Sequence, residues 1–182
     1  MKKLKLLAVL AILFSFTSLS AKDFDWSECW CNYGGGISKG DLILNVDGAL
    51  CFSDLKYSGY NGFWFIPPVM VELQYAQPIW KLPFTYGGYA GTRLFGTGSY
   101  TYFGLFFGGE IAYHMMLPPS GLDLYAVTRL GCELPFVWVR GWEWFGFHLG
   151  LGMGANWFFN DVFGVNFEIG YPFTKVGVSF KF

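Results

Sequence analysis

The 182-residue chain is short of charge: Asp, Glu, Lys and Arg make up 14% of it, against about 25% in an ordinary soluble domain. A formal net charge of −1 gives no nucleic-acid signal. No Ser-, Pro- or charge-rich linker divides the chain, so one domain is expected. There are two histidines, His114 and His148, which leaves little from which to build an imidazole-based centre. Long apolar runs are missing beyond the first residues, and none approaches the roughly 20 residues needed to cross a bilayer as a helix. Yet 53% of the chain is hydrophobic and 22% aromatic, with 25 glycines and 21 phenylalanines. Much apolar surface must therefore face something other than water. It must do so from strands and turns, because glycine is poor in helix interiors and aromatics suit pleated surfaces.

The first residues carry Lys2, Lys3 and Lys5, an apolar run from Leu6 to Phe16 and the small residues Ser18, Ser20 and Ala21. That is the layout of a secretory signal peptide, residues 1–21, and implies export. The run is too short for a helical anchor, and no cysteine stands at the small-residue site to mark a lipoprotein. Residues 22–40, with Asp25, Trp26, Trp30 and Gly34 to Gly36, show no strand pattern. They read as a periplasmic lead-in or as a plug entering a lumen, and the sequence does not choose.

From residue 41 to 182 the chain alternates with period two in segments of about ten residues, the length of a tilted membrane strand. Eight segments emerge: Asp41 to Phe52, Pro68 to Ala76, Phe84 to Phe95, Tyr100 to Met116, Leu122 to Glu133, Phe145 to Trp157, Val162 to Tyr171, and a last one reaching Phe182. The expected fold is all-β, a membrane-spanning up-and-down antiparallel β-barrel of eight strands. Compact turns at Gln77 to Pro83, Leu117 to Gly121 and Phe158 to Asp161 would lie on the periplasmic side with the termini. Outer loops would be Ser53 to Phe63, Gly96 to Ser99, Leu134 to Gly141 and Pro172 to Phe173.

Glycine decides which face points outward. In the sixth segment Phe147, Leu149, Leu151, Met153 and Trp157 oppose Gly146, His148, Gly150, Gly152, Gly154 and Asn156. A small barrel has too little interior room for the bulky set, so it faces lipid. A soluble lipocalin-like barrel inverts this pattern. Interfacial aromatic girdles are expected from Trp64, Phe103, Trp142, Trp144 and Tyr171 at the outer side and Tyr75, Trp80, Tyr113, Trp157 and Phe158 at the periplasmic side.

The stretch Gly154 to Tyr171 (GANWFFNDVFGVNFEIGY) and the terminal VGVSFKF resemble the last two hairpin units of the OmpA/OmpW-like small outer-membrane β-barrel superfamily. The likeness covers about the last 30 residues well and the remainder by pattern only. It implies residence in the bacterial cell outer membrane, with outer-membrane lipid as surroundings. It also implies that Val176, Val178, Phe180 and Phe182 form the signal recognised by the barrel-assembly machinery.

Inward positions carry Asp47, Glu72, Arg93, Glu110, His114, Arg129, Glu168 and Lys175. Charges in a narrow, low-dielectric interior must pair. Counting depth along the strands sets Glu110 beside Arg129, and Lys175 beside Glu168 and Asp47. A mid-lumen ion-pair network of Asp47, Glu72, Arg93, Glu110, Arg129, Glu168 and Lys175 is therefore expected, giving a plugged rather than a conducting lumen. His114 and His148 differ in depth by about 20 Å, which argues against a shared metal. Ser53, Ser58 and Ser99 lie in loops with no histidine in a recognisable motif, so neither catalysis nor a cofactor is expected. Cys29 and Cys31 precede the first strand, while Cys51 and Cys132 fall on opposite faces of the wall, so the barrel predicts no Cys51 to Cys132 bond. The functional expectation is a monomeric, non-catalytic structural or surface-exposed barrel. The alternatives are OmpW-like passage of small apolar molecules and, less favoured, a lipid-modifying enzyme.

Overall fold

The structure is a computed structural model and describes residues 28–51, 58–59, 61–98, 101–118, 121–137, 141–142 and 146–182. The expected signal peptide lies outside these residues. Among the described residues nine strands follow one another: β1 (Leu42–Cys51), β2 (Trp64–Ala76), β3 (Phe84–Gly96), β4 (Thr101–Met116), β5 (Leu122–Val137), β6 (Gly141–Trp142), β7 (Gly146–Phe158), β8 (Phe163–Tyr171) and β9 (Phe173–Lys181). Each pairs antiparallel with its neighbours in the ring β1-β2-β3-β4-β5-β7-β8-β9, and β9 returns to β1 through Ile43↔Lys181 to Cys51↔Phe173. The two-residue β6 pairs antiparallel with the end of β5, through Phe136↔Trp142 and Val137↔Gly141, and adds no stave to the ring. The barrel is thus a closed, all-antiparallel ring of eight staves. Closure matters because it leaves no edge of unpaired N–H and C=O groups.

The alternation in the sequence is the alternation of burial. Along β1, Leu42, Val46 and Leu50 face outward while Asn45, Asp47 and Ala49 are buried. Along β7, Phe147 (80% exposed), Leu149, Leu151 and Met153 face outward while the glycines line the lumen. The outer surface is apolar and the interior polar, the inverse of a soluble barrel.

Two boundaries and one face stand out as differences from the sequence reading. β2 begins at Trp64, four residues before Pro68. Its register shifts between Ile66 and Val69, around Pro67 and Pro68, where prolines lack the N–H a regular ladder needs. β5 runs on to Val137, so Leu134 to Val137, expected in an outer loop, is strand paired to Tyr102 to Leu105 of β4. Among the girdle candidates, Trp64, Trp80, Trp157 and Tyr171 are exposed, but Phe158 is buried. It follows Trp157 by one residue and so points inward, where the Lys181 ammonium lies 5.1 Å from its ring. Trp142 and Trp144 have side chains outside those described.

Residues 28–40 fold across the end of the barrel where β1 begins and β9 ends. The segment is tied to strand ends by backbone bonds: Met116 N–H to Cys29 C=O (3.1 Å), Gly35 N–H to Leu122 C=O (3.1 Å) and Gly40 N–H to Ala76 C=O (2.8 Å). The described part of residues 22–40 therefore lies across the strand ends at this mouth of the barrel.

Candidate functional site

The lumen is filled in three tiers, and strand register decides which side chains share each. In the middle tier, Glu110 of β4 sits directly opposite Arg129 of β5, and Glu168 of β8 opposite Lys175 of β9. Arg129 Nε donates to Glu110 Oε2 (2.8 Å), and Nη2 donates to Glu72 Oε1 (2.7 Å) and Glu168 Oε2 (2.8 Å); Nη1 also donates to Glu168 Oε1. Lys175 Nζ donates to Asp47 Oδ2 (2.9 Å) and Glu72 Oε2 (2.5 Å), with Glu168 Oε2 at 3.5 Å. Asn45 and Tyr125 add donors to Glu72 and Glu168 at 3.1 Å each. Four carboxylates and two cations from six staves thus interlock, with Arg129 2% exposed. The planar guanidinium fork makes four hydrogen bonds to three carboxylates, two of them to Glu168.

Room for this tier comes from the glycines of β7. A Cβ on Gly152 would lie 2.5 Å from Glu168 Oε1, and one on Gly154 would lie 2.5 Å from the Tyr125 ring. The glycine stripe is therefore the space into which Glu168 and Tyr125 reach.

Arg93 does not belong to this tier. It pairs with Glu133 nearer the outer end, Nε to Oε1 at 2.8 Å, and its Nη2 donates to the Tyr102 hydroxyl at 3.1 Å. Its position on β3, opposite Gly104, is four residues above Tyr89 and the Glu72 level, a height difference that depth counting passed over. Between Arg93 and the middle tier, Ala49, Cys51, Met70, Tyr89, Phe106 and Phe173 form a buried apolar cluster. The rings of Phe106 and Phe173 stack at 4.7 Å. His148 shares a hydrogen bond with the Tyr89 hydroxyl (2.7 Å). Cys51 faces the lumen and Cys132 the opposite side of the wall.

The third tier lies at the end with the termini. His114 bridges Thr85 Oγ1 and Asp123 Oδ2, each at 2.8 Å, and Asn156 Nδ2 donates to Asp123 Oδ2 (3.0 Å). The N-terminal segment rests on this group. Gly34 N–H donates to Asp123 Oδ1 (3.3 Å), the Tyr33 hydroxyl donates to Phe84 C=O (2.5 Å), and Lys181 Nζ donates to Gly36 C=O (2.6 Å). Gly35 and Gly36 have φ of +63° and +69°, a region side chains avoid. A Cβ on Gly34 would lie 2.6 Å from Leu122 O. The triple glycine is what lets the backbone lie flat on the strand ends. Burial, and next the Asp123 carboxylate, push the Tyr33 phenol up to about 12, and burial likewise raises the Cys29 thiol.

His114 and His148 thus sit in different tiers, and among the described residues no group of His, Cys, Asp and Glu side chains is placed to hold a metal ion. Sequence reasoning missed the bottom tier as a unit. Thr85, Asp123 and Asn156 were legible only as inward polar positions, and the signal that unites them is diagonal: Thr85 pairs with Ala112 and Asp123 with Met116, each two residues from His114 on β4, and Asp123 pairs with Asn156.

No family model matches the chain, and no curated protein sequence does. Among solved structures, the outer membrane protein OprG from Pseudomonas aeruginosa superposes with a TM-score of 0.50 at 11% identity, over 82% of this chain and 99% of that one. At that identity the likeness is one of fold, and with the closed ring and its apolar outer face it defines this chain as an up-and-down eight-stranded β-barrel built like an outer-membrane protein.

Proposed function

We propose that this protein is exported through a signal peptide at residues 1–21 to a bacterial outer membrane, where it serves as a non-catalytic, structural or surface-exposed barrel with a plugged lumen. The observation that carries this reading is the middle tier. Asp47, Glu72, Glu110, Arg129, Glu168 and Lys175 close the interior at one level with bonds drawn from six staves. Moving Arg129 aside to admit an ion would strand buried carboxylates, which costs several kcal/mol. The N-terminal segment closes the same passage again at the termini side. Lipid would be the partner of the outer face, the barrel-assembly machinery that of Val176, Val178, Phe180 and Phe182, and the barrel would stand as a monomer. Passage of small apolar molecules is less well supported, because the apolar outer half is occupied by the stacked Phe106 and Phe173. Conductance of the refolded protein in a planar bilayer tests the reading. A silent bilayer is expected, and steady single-channel steps would overturn it.

A further inference from the structure

His114 is fully buried, and both its ring nitrogens are engaged, Nε2 with Thr85 Oγ1 and Nδ1 with Asp123 Oδ2. With Glu110 ionised beside Arg129, the direction of those hydrogen bonds is set from the middle tier. Glu110 uses Oε2 to accept from Arg129 Nε and Oε1 to accept from Gln74 Nε2, both at 2.8 Å. The Gln74 amide therefore turns its oxygen toward Thr85, whose hydroxyl donates to it at 2.8 Å. A hydroxyl carries one proton. With that proton committed to Gln74, Thr85 Oγ1 can only accept, so Nε2 of His114 carries a proton. Asp123 already accepts from Asn156 and from the Gly34 N–H, and a carboxylate so placed accepts from Nδ1 as well. An imidazole donating from both nitrogens is an imidazolium.

We propose that His114 is a buried imidazolium that seats the N-terminal segment, and that its second proton is dictated from mid-lumen by Glu110 through Gln74 and Thr85. The seating half rests on the reading of residues 28–40 as a plug; the protonation half does not. The relay holds one mobile proton. When Glu110 takes it on Oε1, that oxygen becomes a donor and the Gln74 amide turns over. Gln74 Nε2 then donates to Thr85, Thr85 donates to His114 Nε2, and His114 keeps only the proton on Nδ1. The proton lost at one end is the proton gained at the other. Asp123 is then left without a charged partner beneath Gly34, with only the rings of Tyr33 (5.7 Å) and Tyr125 (5.8 Å) against the imidazole. A change of charge in the middle tier is thereby transmitted to the stopper at the termini side.

Glu110→Gln forces the reversed direction. Arg129 Nε still requires an oxygen, so the new amide must present its nitrogen to Gln74. Nitrogen-15 NMR of histidine-labelled protein in micelles reads the outcome at neutral pH, because the chain holds two histidines and a His148→Gln variant assigns them. The expected result is His114 protonated on both nitrogens in the native protein and on Nδ1 alone in Glu110→Gln. Thr85→Val, which removes the acceptor without touching the ion pairs, is expected to do the same and serves if Glu110→Gln does not fold. The rate at which a maleimide modifies buried Cys29, relative to exposed Cys31, is expected to rise about tenfold or more in both variants. A neutral His114 in the native protein overturns the relay. A native imidazolium with unchanged Cys29 reactivity in both variants overturns the seating role, whereas ion conductance by the native protein would instead overturn the plugged-lumen reading.

Discussion

Replacing Arg129 by Met keeps much of the side-chain volume and removes the cation at the centre of the lumen. In the native barrel Arg129 makes four hydrogen bonds to Glu72, Glu110 and Glu168. Charge-assisted bonds contribute about 1.5–3 kcal/mol each, so their simple sum is about 6–12 kcal/mol. The measured loss will be smaller, because a carboxylate left unpaired can take up a proton. From an ordinary Glu value of about 4.3, at about 1.36 kcal/mol per pH unit, that relief sets a ceiling of roughly 4 kcal/mol per carboxylate at pH 7. A loss of about 3–5 kcal/mol is expected, the range found when one partner of a buried pair is removed. It should shrink as pH falls toward 5, since protonation of the stranded carboxylates then costs less. Urea unfolding of the refolded barrel, followed by heat-modifiable migration on gels, measures both. Arg129→Met combined with Glu110→Gln should recover part of the loss, because one uncompensated carboxylate has gone. If Arg129→Met unfolds at the native urea concentration at pH 7, the middle tier does not hold the lumen closed and the reasoning fails.

Gly152→Val should push Glu168 off Arg129, since even a Cβ there would approach Oε1 to 2.5 Å; overpacking of this kind costs about 1–3 kcal/mol, and the same urea titration reads it. Deleting Phe182 should impair assembly while Lys175→Ala leaves assembly intact and loosens the interior; undiminished membrane-inserted, heat-modifiable barrel in the truncation would end the assembly-signal reading. Tyr33 has its phenol raised from 10 to about 12, so its part in seating the N-terminal segment is whole below pH 10 and is lost as pH rises through about 12. The alkaline difference absorbance between native protein and Tyr33→Phe should therefore show a midpoint near 12, and a midpoint at 10 would show the phenol to be exposed.

The period of two and the glycine face of β7 were enough to determine the sequence reading of the fold. Side chains on successive strand residues point to opposite faces, and only one face of Phe147 to Trp157 fits inside a narrow ring, so stave number, handedness of the faces and the outward apolar surface follow from residue order alone. The pairing of Glu110 with Arg129, and of Glu168 with Lys175, was legible for the same reason, since adjacent antiparallel strands joined by short turns have countable register. Other features depend on contacts that no single strand encodes. Arg93 stands apart from Arg129 because β3 sets it opposite Gly104 of β4, which pairs with Pro135, six residues above Arg129 on β5. Phe158 is the last residue of β7 and takes the inward side by the alternation that turns Trp157 outward, which counting it with the following turn concealed. The stopper formed by Cys29 to Gly40 has no period at all. Its place was decided only in three dimensions, where strand ends offered the unpaired carbonyls and N–H groups of Leu122, Ala76 and Met116, and where Asp123, held by His114 from below, waited for the N–H of Gly34.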